Sequence, residues 1–437
     1  MSKLTSKPSE PAKPIFALVD VNNFYVSCER AFEPRLQNVP MVVLSNNDGC
    51  AVARSQEVKD LGIKMSQPWF KMKDLAQQHG IVAYSSNYAL YGDMSNRATA
   101  VLRQFCPDIE VYSIDESFLQ VQGLAPLYGG HTRMGQSIRQ RVLQWTGLPV
   151  CVGFGPTKTL AKFANHLAKK NPAFAGVCDL ASFDTPTLSH WMAQYPVTEV
   201  WGVGRRIGER LKTLGVATIQ DLASIEPKIL RNQFGVVLER TAHELRGTSC
   251  LALEDVLPDK QQIMSSRSFG KPVVSHFELA ESVSWHVAAA GEKLRRQSSF
   301  AGAIYVFVQT NRFREDQKQY NAGLVMSLPE ATNDTLALTK YALRVLKRLY
   351  RPDYIYKKCG IMLMDLSEQM HQQTSLIASA IDPRSIQKMQ ALDAINERFG
   401  RGMIRSAACG TSKRWAMRSE ARSPRYTTQW DELPVAQ

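Results

Sequence analysis

The sequence of 437 residues has no hydrophobic run typical of a membrane span and no cysteine pattern typical of a zinc site. No apolar run approaches the roughly 18 residues that a transmembrane helix needs. The eight cysteines form no Cys-x-x-Cys pair and no cluster with histidine, so neither bound zinc nor a disulfide framework is expected. Residues 1–14 lack the apolar core of a secretory signal. We therefore expect a cytoplasmic protein with reduced thiols and no membrane partner.

Acidic residues are the minority among the charged side chains. Lysine and arginine number 53 against 40 aspartates and glutamates, which gives a formal net charge of +13. An excess of positive charge favours polyanions, and nucleic acid first, as the binding partner. Hydrophobic residues make up 44% of the chain, an ordinary fraction for a globular protein, and this length predicts roughly two to four domains.

The first part of the chain alternates between strand and helix patterns. Residues 1–14 are predicted to be a disordered tail, because they are rich in serine, proline and lysine. A buried strand follows at residues 15–19 and stops at Asp20. Another strand is predicted at 41–44, and a hairpin has residues 114–116 at its corner. This alternation predicts a mixed α/β layer structure over about the first 180 residues.

The pattern changes twice further along the chain. Short helices are predicted from about residue 186, on both sides of a Gly-x-Gly turn at residues 202–204. Between about 255 and 366 the order becomes β-α-β-β-α-β, typical of a ferredoxin-like domain. After residue 367 the chain is polar, and we expect it to lack a core of its own.

Three acidic residues carry the first candidate site. Asp20 ends a buried strand, and Asp115 and Glu116 occupy the corner of the predicted hairpin. Carboxylates at the ends of paired strands can bind Mg²⁺, which prefers hard oxygen ligands. Two such ions can activate an attacking oxygen and stabilise a leaving one in phosphoryl transfer. Spacing alone leaves open that these acids are ordinary turn residues.

The segments around these acids resemble known motifs. Asp20-Val21-Asn22-Asn23-Phe24-Tyr25-Val26-Ser27-Cys28-Glu29 and Tyr112-Ser113-Ile114-Asp115-Glu116-Ser117-Phe118 resemble the two catalytic motifs of Y-family DNA polymerases. The similarity is greatest to the UmuC group, the catalytic subunits of DNA polymerase V. Residues 45–50, 68–70 and 423–428 also resemble segments of that group, so the resemblance extends from about residue 15 to 428.

The resemblance implies a right-hand polymerase made of several α/β domains. The palm would comprise residues 15–23 and 90–185, and the fingers residues 24–89. A helical thumb with a helix-hairpin-helix would cover 186–252. A ferredoxin-like βαββαβ little finger would cover 253–366, and a C-terminal tail at 367–437 would bind partners.

The resemblance also implies roles for single residues in the palm and fingers. Asp20, Asp115 and Glu116 would be the catalytic acids and, with the carbonyl of Val21, would bind two Mg²⁺ ions. Tyr25 would be the steric gate beneath the sugar of the incoming nucleotide. The residues expected to bind the dNTP are Phe24, Lys59 and Lys169. Where the family usually has a tyrosine and an arginine, this chain has Gln56 and Lys59, and Lys170 competes with Lys169 for its role.

Two basic segments are candidates for DNA binding. Gly202 and Gly204 open a helix, where free backbone N–H groups can bind a phosphate, and Arg205 and Arg206 add charge. An ordinary interhelical turn is the alternative interpretation. Arg267 lies in a segment that resembles the start of the little finger, whose strand face lies against the DNA backbone in the family.

A third segment is a candidate for binding a sliding clamp. Gln373, Leu376 and Ile377 occupy the place where UmuC-like chains carry a clamp peptide of the form Gln-Leu-x-Leu-Phe. Thr374 and Ile377 replace its leucine and phenylalanine, so a plain linker remains an open alternative.

The resemblance predicts an error-prone, template-directed DNA polymerase for translesion synthesis in the SOS DNA-damage response. Its expected partners are primer-template DNA, dNTPs, a UmuD′-like dimer, RecA and, through the weak peptide, a sliding clamp. It would act in the bacterial cytoplasm, associated with the nucleoid. Two rival functions are a non-catalytic helix-hairpin-helix DNA-binding protein and an enzyme with a nucleotidyl cyclase-like palm.

Overall fold

The computed structural model describes residues 14–254, 259–368 and 383–433. The chain forms two compact units. Among the described residues, the first unit comprises 14–44, 50–254 and 421–433, and the second comprises 45–49, 259–368 and 383–420. No helix within the described ranges is long and apolar enough to cross a membrane. The tail predicted at residues 1–14 lies outside the described residues except for Pro14.

The first unit begins with two sheets and the helices that cover them. Its elements up to residue 179 are β1 (Phe16–Val21), α1 (Phe24–Phe32), β2 (Met41–Leu44), β3 (Ala51–Arg54), α2 (Gln56–Asp60), α3 (Lys73–His79), β4 (Val82–Ser85), α4 (Tyr88–Leu102), β5 (Ile109–Val111), β6 (Glu116–Gln120), α5 (Ala125–Tyr128), α6 (His131–Thr146), β7 (Val150–Gly155), α7 (Lys158–Lys170) and β8 (Val177–Asp179). One sheet has the order β5-β6-β1-β7-β8 and the other β3-β2-β4. The predicted hairpin is confirmed, since β5 and β6 pair antiparallel.

The larger sheet has helices on both faces. Along β1, alternate residues such as Ala17 and Val19 belong to the core shared with α4 and α6. Phe16 and Leu18 point to the opposite face, where they pack with residues of β6 and α7. Because side chains alternate along a strand, Asp20 shares the α7 face with Leu18.

Helix α7 lies unusually close to the sheet. A Cβ atom on Gly153 of β7 would stand 2.1 Å from the backbone nitrogen of Asn165, so only glycine fits at this position. The Asn165 side-chain amide donates to the carbonyls of Leu18 and Cys151, at 3.2 and 2.8 Å. These bonds tie α7 to two central strands and fix which of its residues face Asp20.

Short helices complete the main part of the first unit. They are α8 (Thr185–Ala193), α9 (Arg205–Thr213), α10 (Ile219–Ser224), α11 (Pro227–Phe234) and α12 (Val236–Leu245). Their apolar residues share one core with the outer face of α7, including Leu167, Leu211 and Leu222. The predicted change to short helices after residue 186 is therefore confirmed.

The second unit contains the predicted β-α-β-β-α-β order. Its elements are β9 (Ile263–Val273), α13 (His276–Arg296), β10 (Ser299–Thr310), β11 (Asn321–Thr332), α14 (Thr335–Leu349), β12 (Tyr356–Glu368) and α15 (Pro383–Phe399). The four strands pair antiparallel in the order β11-β10-β12-β9. The Asp334 carboxylate caps α14 by accepting from the backbone of Leu336 and Ala337.

The polar chain after residue 400 adds aromatic side chains to the cores of both units. Trp415 is buried in the core of the second unit. Tyr426 is buried in the core of the first unit, alongside residues of α1 and α4. The chain after residue 367 was predicted to lack a core of its own, and its described residues after 400 contribute to the cores of the two units.

Candidate active site

The three predicted acids lie at one end of neighbouring strands. Asp20 pairs directly with Glu116 across the antiparallel β1–β6 ladder. The backbone N–H of Val21 donates to the carbonyl oxygen of Asp115 at 2.9 Å. The hydroxyl of Ser113 donates to the Asp115 carboxylate at 2.6 Å and fixes its orientation. Acids separated by about ninety-five residues in sequence are therefore brought together by strand pairing.

Two lysines of α7 neutralise two of these acids. The ammonium group of Lys169 lies 2.5 Å from a carboxylate oxygen of Asp20. Lys162 donates to both carboxylate oxygens of Glu116, at 2.8 and 2.9 Å. Sequence reasoning missed Lys162. The signal was available, because residues seven apart lie two turns apart on the same helical face and Lys169 was already a candidate.

Burial raises the pKa of Asp20 to about 6. The ammonium group of Lys169 lowers it, whereas the charges of Glu116 and Asp115 raise it further. The site thus concentrates negative charge that a cation would neutralise. Among the residues that the structure describes, no three metal-ligating side chains stand close enough to hold an ion as they are arranged. The donor set of carboxylate oxygens nevertheless fits a hard divalent cation, once the lysines no longer neutralise the acids.

Tyr25 lies on α1, five residues after Asp20. Its half-buried ring stacks on Tyr91 with the ring centroids 4.4 Å apart. Burial raises the pKa of Tyr25, and the nearby groups of Tyr88 and Asp115 raise it further. Phe24 is only 4% exposed and belongs to the core, which leaves its backbone as the part able to meet a nucleotide.

Lys59 of α2 belongs to a cluster of cations beside the acids. Its ammonium group donates to the side-chain oxygen of Asn23 at 2.5 Å. Burial lowers the pKa of Lys59, and the charges of Arg54, Lys169 and Lys170 lower it further. Such a concentration of positive charge can bind a polyphosphate. Gln56 instead bonds to Asp60 of its own helix, and its side chain is exposed.

An indole ring connects the helical region with the acids. The indole N–H of Trp201 donates to the hydroxyl of Tyr112 at 3.1 Å. The ammonium group of Lys162 lies 4.7 Å from the ring centre of Tyr112 and 5.4 Å from that of Trp201. Lys162 and Trp201, with Asp20, Glu116 and Lys169, line a cavity of about 160 Å³. Sequence reasoning did not single out Trp201.

The Gly-x-Gly turn presents its backbone to solvent. Gly202 has a positive φ of 85°, which favours glycine, and Gly204 caps α9. A Cβ atom at either position would meet nothing within 4 Å. Arg205 and Arg206 are exposed in the first turn of α9. The turn can therefore approach a phosphate backbone without steric obstruction.

The remaining predicted residues lie elsewhere. Arg267 is exposed on β9 of the second unit, where its guanidinium group contacts the sulfur of Met417 at 3.8 Å. The candidate clamp residues Gln373, Leu376 and Ile377 lie outside the described residues.

Family models match most of the chain. Residues 19–166 match the impB/mucB/samB family, and residues 260–376 match the C-terminal domain of the same family. Residues 388–436 match a domain of unknown function. The first match contains all three acids, Tyr25, Lys59 and Lys162.

Relatives of similar length support this membership. Protein UmuC of Salmonella typhimurium (strain LT2) is 43% identical over 421 residues, which cover 96% of this chain and 99% of the relative. Protein ImpB of Salmonella typhimurium is 41% identical over 97% of this chain and 99% of its own. DNA polymerase IV of Pelotomaculum thermopropionicum is 28% identical over 89% of this chain and 93% of its own.

Solved structures show the same fold. A Y-family DNA polymerase chimera of Dbh and Dpo4 aligns with a TM-score of 0.64 at 19% identity, over 81% of this chain and all of that one. A structure described as an insertion ternary complex of Dbh DNA polymerase aligns with a TM-score of 0.54 at 20% identity, over the same shares of both chains. The predicted right-hand polymerase fold is thus confirmed, and family membership implies a divalent metal cofactor. The chain belongs to the impB/mucB/samB family and is a UmuC-type Y-family DNA polymerase, an enzyme of error-prone translesion synthesis in the SOS response.

Proposed function

We propose that this polymerase extends a primer with two Mg²⁺ ions held by Asp20, Asp115, Glu116 and the carbonyl of Val21. The observation that carries the proposal is the pairing of Asp20 with Glu116 at the strand end where Val21 bonds to Asp115. Bound there, the two ions would supply activation of the primer 3′-hydroxyl and neutralisation of the charge that develops on the leaving pyrophosphate.

The carboxylates must exchange partners for this chemistry. Lys169 and Lys162 balance the charges of Asp20 and Glu116 in the absence of metal and substrate. A dNTP offers the same ammonium groups a triphosphate, which is a stronger anion than one carboxylate. Lys169 would thus move from Asp20 to the nucleotide and leave the acid free to bind a cation.

Lys59 and Lys169 would hold the triphosphate from two sides. Lys59 comes from α2 and Lys169 from α7. Burial lowers the pKa of Lys59, and the nearby charges of Arg54 and Lys169 lower it further. The lysine ammonium is a point charge without the planar guanidinium fork of arginine. Lys59 would therefore bind the triphosphate by charge rather than by paired hydrogen bonds. The backbone of Phe24 lies in the same region and would contact the nucleotide.

Tyr25 would select the sugar. Its ring packs against those of Tyr91 and Tyr88, and the nucleotide sugar would lie over it. A ring beneath C2′ leaves room for hydrogen and collides with a hydroxyl. Such a clash against the wrong substrate discriminates without any added attraction to the right one.

DNA would be held by contacts to its backbone. The N–H groups at Gly202 and Gly204 and the side chains of Arg205 and Arg206 offer donors without reading sequence. Arg267 offers a further cation on an exposed strand of the second unit. This binding would depend on salt and tolerate any sequence, which suits a polymerase that copies damaged templates.

The domain boundaries that we propose follow the predicted ones. The palm is assigned to residues 15–23 and 90–185 because β1 and β5–β8 share one sheet. The fingers at 24–89 contain the three-stranded sheet. The thumb at 186–252 contains α9–α12 and all of α8 except its first residue, and the little finger at 253–366 contains β9–β11 and all of β12 except its last two residues. The tail at 367–437 would bind partners.

The same family membership suggests the setting. We propose that the polymerase acts on the bacterial nucleoid in the cytoplasm and binds a UmuD′-like dimer and RecA. Residues 373–377 would provide a weak contact with the sliding clamp, because Thr374 and Ile377 are smaller than the anchors they replace.

Primer extension with and without Mg²⁺ tests the proposal, with Asp115→Asn as the variant. The change keeps the shape of the side chain but removes its charge, so extension should fall by roughly a hundredfold or more. Primer-template binding should survive. Asp74→Asn, an exposed acid in the first turn of α3, is the control that should extend normally. Near-normal extension by Asp115→Asn would overturn the assignment. Metal-independent binding without extension by the parent chain would favour the non-catalytic rival.

A further inference from the structure

The C-terminal residues 421–426, which we call the strap, lie along the edge of the three-stranded sheet. The N–H of Ser85 in β4 donates to the carbonyl of Ala421 at 2.9 Å. In return, the N–H of Ala421 donates to the hydroxyl of Ser85 at 3.0 Å. Ser85 also forms a parallel bridge with Arg422. The strap thus pairs with a strand more than three hundred residues earlier in the sequence.

Ser423 of the strap is buried between α1 and the start of α4. Its hydroxyl donates to a carboxylate oxygen of Glu29 at 3.0 Å and accepts from the amide of Asn87 at 3.0 Å. The same amide also donates to the carbonyls of Ser423 and Pro424. Asn87 caps α4 by accepting from the N–H of Leu90. Ser423 therefore contacts α1 through the carboxylate of Glu29 and α4 through its N-cap residue, Asn87.

Glu29 carries the contact onward to an aromatic ring. The hydroxyl of Tyr91 donates at 2.6 Å to the same oxygen of Glu29 that accepts from Ser423. Glu29 and Tyr91 are both fully buried. The ring of Tyr91 is nearly parallel to that of Tyr25, with an angle of 15° between the planes. A continuous path of direct contacts thus runs from Ser423 through Glu29 and Tyr91 to Tyr25.

Tyr426 anchors the other end of the strap. Its hydroxyl donates to Glu33 at 3.0 Å, and its ring stacks on Phe32 with the centroids 4.9 Å apart. Both partners lie at the end of α1. The strap therefore contacts α1 at two points, through Ser423 and through Tyr426. A movement of Ser423 away from α1 would break a buried hydrogen bond.

We propose that Ser423 is a positioning residue for sugar selection, because through Glu29 and Tyr91 it fixes the ring of Tyr25. The inference rests on the proposed role of Tyr25 as the steric gate. A side chain excludes a substrate by steric collision only if it cannot move aside. Supporting contacts must therefore hold it within about 0.5 Å of its working position. A Tyr91 ring freed from Glu29 would let Tyr25 retreat from a 2′-hydroxyl. The strap belongs to the segment that matches a domain of unknown function, to which the proposal gives a role.

The test compares full-length variants by the efficiency with which each incorporates dCTP and CTP opposite template guanine. Ser423→Ala removes the hydroxyl that bonds to Glu29. It should raise the ratio of CTP to dCTP incorporation by about three- to tenfold, the range expected when one hydrogen bond to a positioning group is lost. Tyr91→Phe, which keeps the ring and removes the hydroxyl, should act in the same direction and serves if Ser423→Ala folds poorly.

The control is Thr427→Val in the adjoining residue of the C-terminal segment. The Thr427 hydroxyl is buried and has no hydrogen-bond partner among the described residues, so its loss should leave the ratio unchanged. A purely structural role for Ser423 would lower the incorporation of both nucleotides together and leave the ratio fixed. The ratio therefore separates positioning from general stabilisation.

Tyr25→Ala, measured in parallel, separates the two proposals. If Tyr25→Ala admits CTP and both Ser423→Ala and Tyr91→Phe raise the ratio, the positioning role is supported. If Tyr25→Ala admits CTP while those two variants select as the parent does, the positioning role is overturned and the gate stands. If Tyr25→Ala still rejects CTP, the gate assignment fails and the positioning role fails with it.

Discussion

Lys162 occupies both carboxylate oxygens of Glu116, a residue expected to bind metal. A cation of the protein and a cation from solution cannot both take the same oxygens. The lysine therefore stabilises the site when it is empty of metal and competes with metal as it binds. This competition makes the metal requirement of the enzyme sensitive to one side chain.

Replacing Lys162 should change the concentration of Mg²⁺ that half-saturates primer extension. Lys162→Gln removes the competing charge and leaves Glu116 unneutralised, so that concentration should fall several-fold, by about two- to tenfold for an ion pair worth roughly 0.5–1.5 kcal/mol. A Mg²⁺ titration of extension measures it, and Lys73→Gln in α3 is the control on an exposed lysine. An unchanged or higher half-saturating concentration would show that Lys162 does not compete with metal.

Single residues differed in how far the sequence could predict them. Asp20 and Asp115 stand next to apolar strands and within long motifs, so local sequence was sufficient to place them. Lys162 needed the helical period of α7 in addition. Ser423 could not be placed at all, because its partner Glu29 is 394 residues away and hydrogen bonds at that separation leave no local pattern.

At the scale of elements, the start of α9 is the turn that we propose binds phosphate. Its two glycines expose backbone donors and its two arginines are exposed. Arg205 makes only a loose contact with Glu209, at 3.4 Å between nitrogen and oxygen, so it loses little when it turns to a phosphate. The element should therefore contribute charge to binding and nothing to the chemical step.

Arg205→Gln combined with Arg206→Gln should weaken primer-template binding without slowing extension at saturating DNA. Each phosphate contact contributes about 0.9 to the slope of log affinity against log salt concentration, so the slope should become shallower by about two. Fluorescence anisotropy across a salt series measures it. Arg231→Gln in α11, which is already paired with Glu239, is the control. A slope equal to that of the parent would remove the turn from the DNA interface.

The contact between α1 and α4 contains a buried acid whose charge state depends on pH. Burial raises the pKa of Glu29 from 4.5 to about 7, although Tyr91 and Ser423 donate to it and lower the value. The charge of Glu33 raises it further. Because the folded state binds this proton more tightly than the unfolded state, Glu29 favours folding most below pH 4.5. That contribution is lost as the pH rises through about 7.

Glu29→Gln should therefore flatten the pH dependence of stability. In the parent, this group should lower the free energy of unfolding by about 3 kcal/mol between pH 4.5 and 7.5, since one pKa unit corresponds to about 1.4 kcal/mol. Denaturant unfolding of both proteins at each pH in this range measures their free energies of unfolding. Subtracting the value of the variant from that of the parent cancels the contribution of the other titrating groups. Parallel curves for parent and variant would show that Glu29 has an ordinary pKa.

Elements were predictable when they were long and periodic. Strand β1 appeared as a short apolar run, and the β-α-β-β-α-β order predicted α13 and α14 of the second unit. The four apolar residues of β2 were enough to predict a strand at 41–44. The elements β3, α2, α3 and β4 were not predicted, because their segments of four to seven residues include polar positions and show neither a continuous apolar run nor a period. Their structure is set by packing into a shared core, as at Val42 and Met72.

At the scale of the whole molecule, neither compact unit is one continuous segment of the chain. Residues 421–433 return to the first unit after the second is complete, and residues 45–49 belong to the second unit although both flanks lie in the first. The β-α-β-β-α-β order of the second unit was predictable because each helix lies between strands that are near in sequence. The returning segments were not, since nothing local specifies their partners.

The polymerase must also reach its template, and residues 373–377 are the segment proposed to link it to a sliding clamp. Thr374 and Ile377 replace a leucine and a phenylalanine of the family peptide, so any clamp affinity through this segment should be weak. Buried aliphatic and aromatic anchors carry most of the energy of such an interface. Thr374→Leu with Ile377→Phe should therefore tighten clamp binding by at least about tenfold.

Titration of the full-length chain with a bacterial sliding clamp measures this change. Ser379→Leu with Ala380→Phe adds the same two side chains outside the peptide and controls for nonspecific hydrophobic binding. A gain confined to the first variant identifies 373–377 as a docking peptide whose anchors have been lost. Equal affinities for parent, variant and control would make the segment a plain linker, and recruitment to a stalled template would then have to depend on other contacts, such as those with RecA and a UmuD′-like dimer.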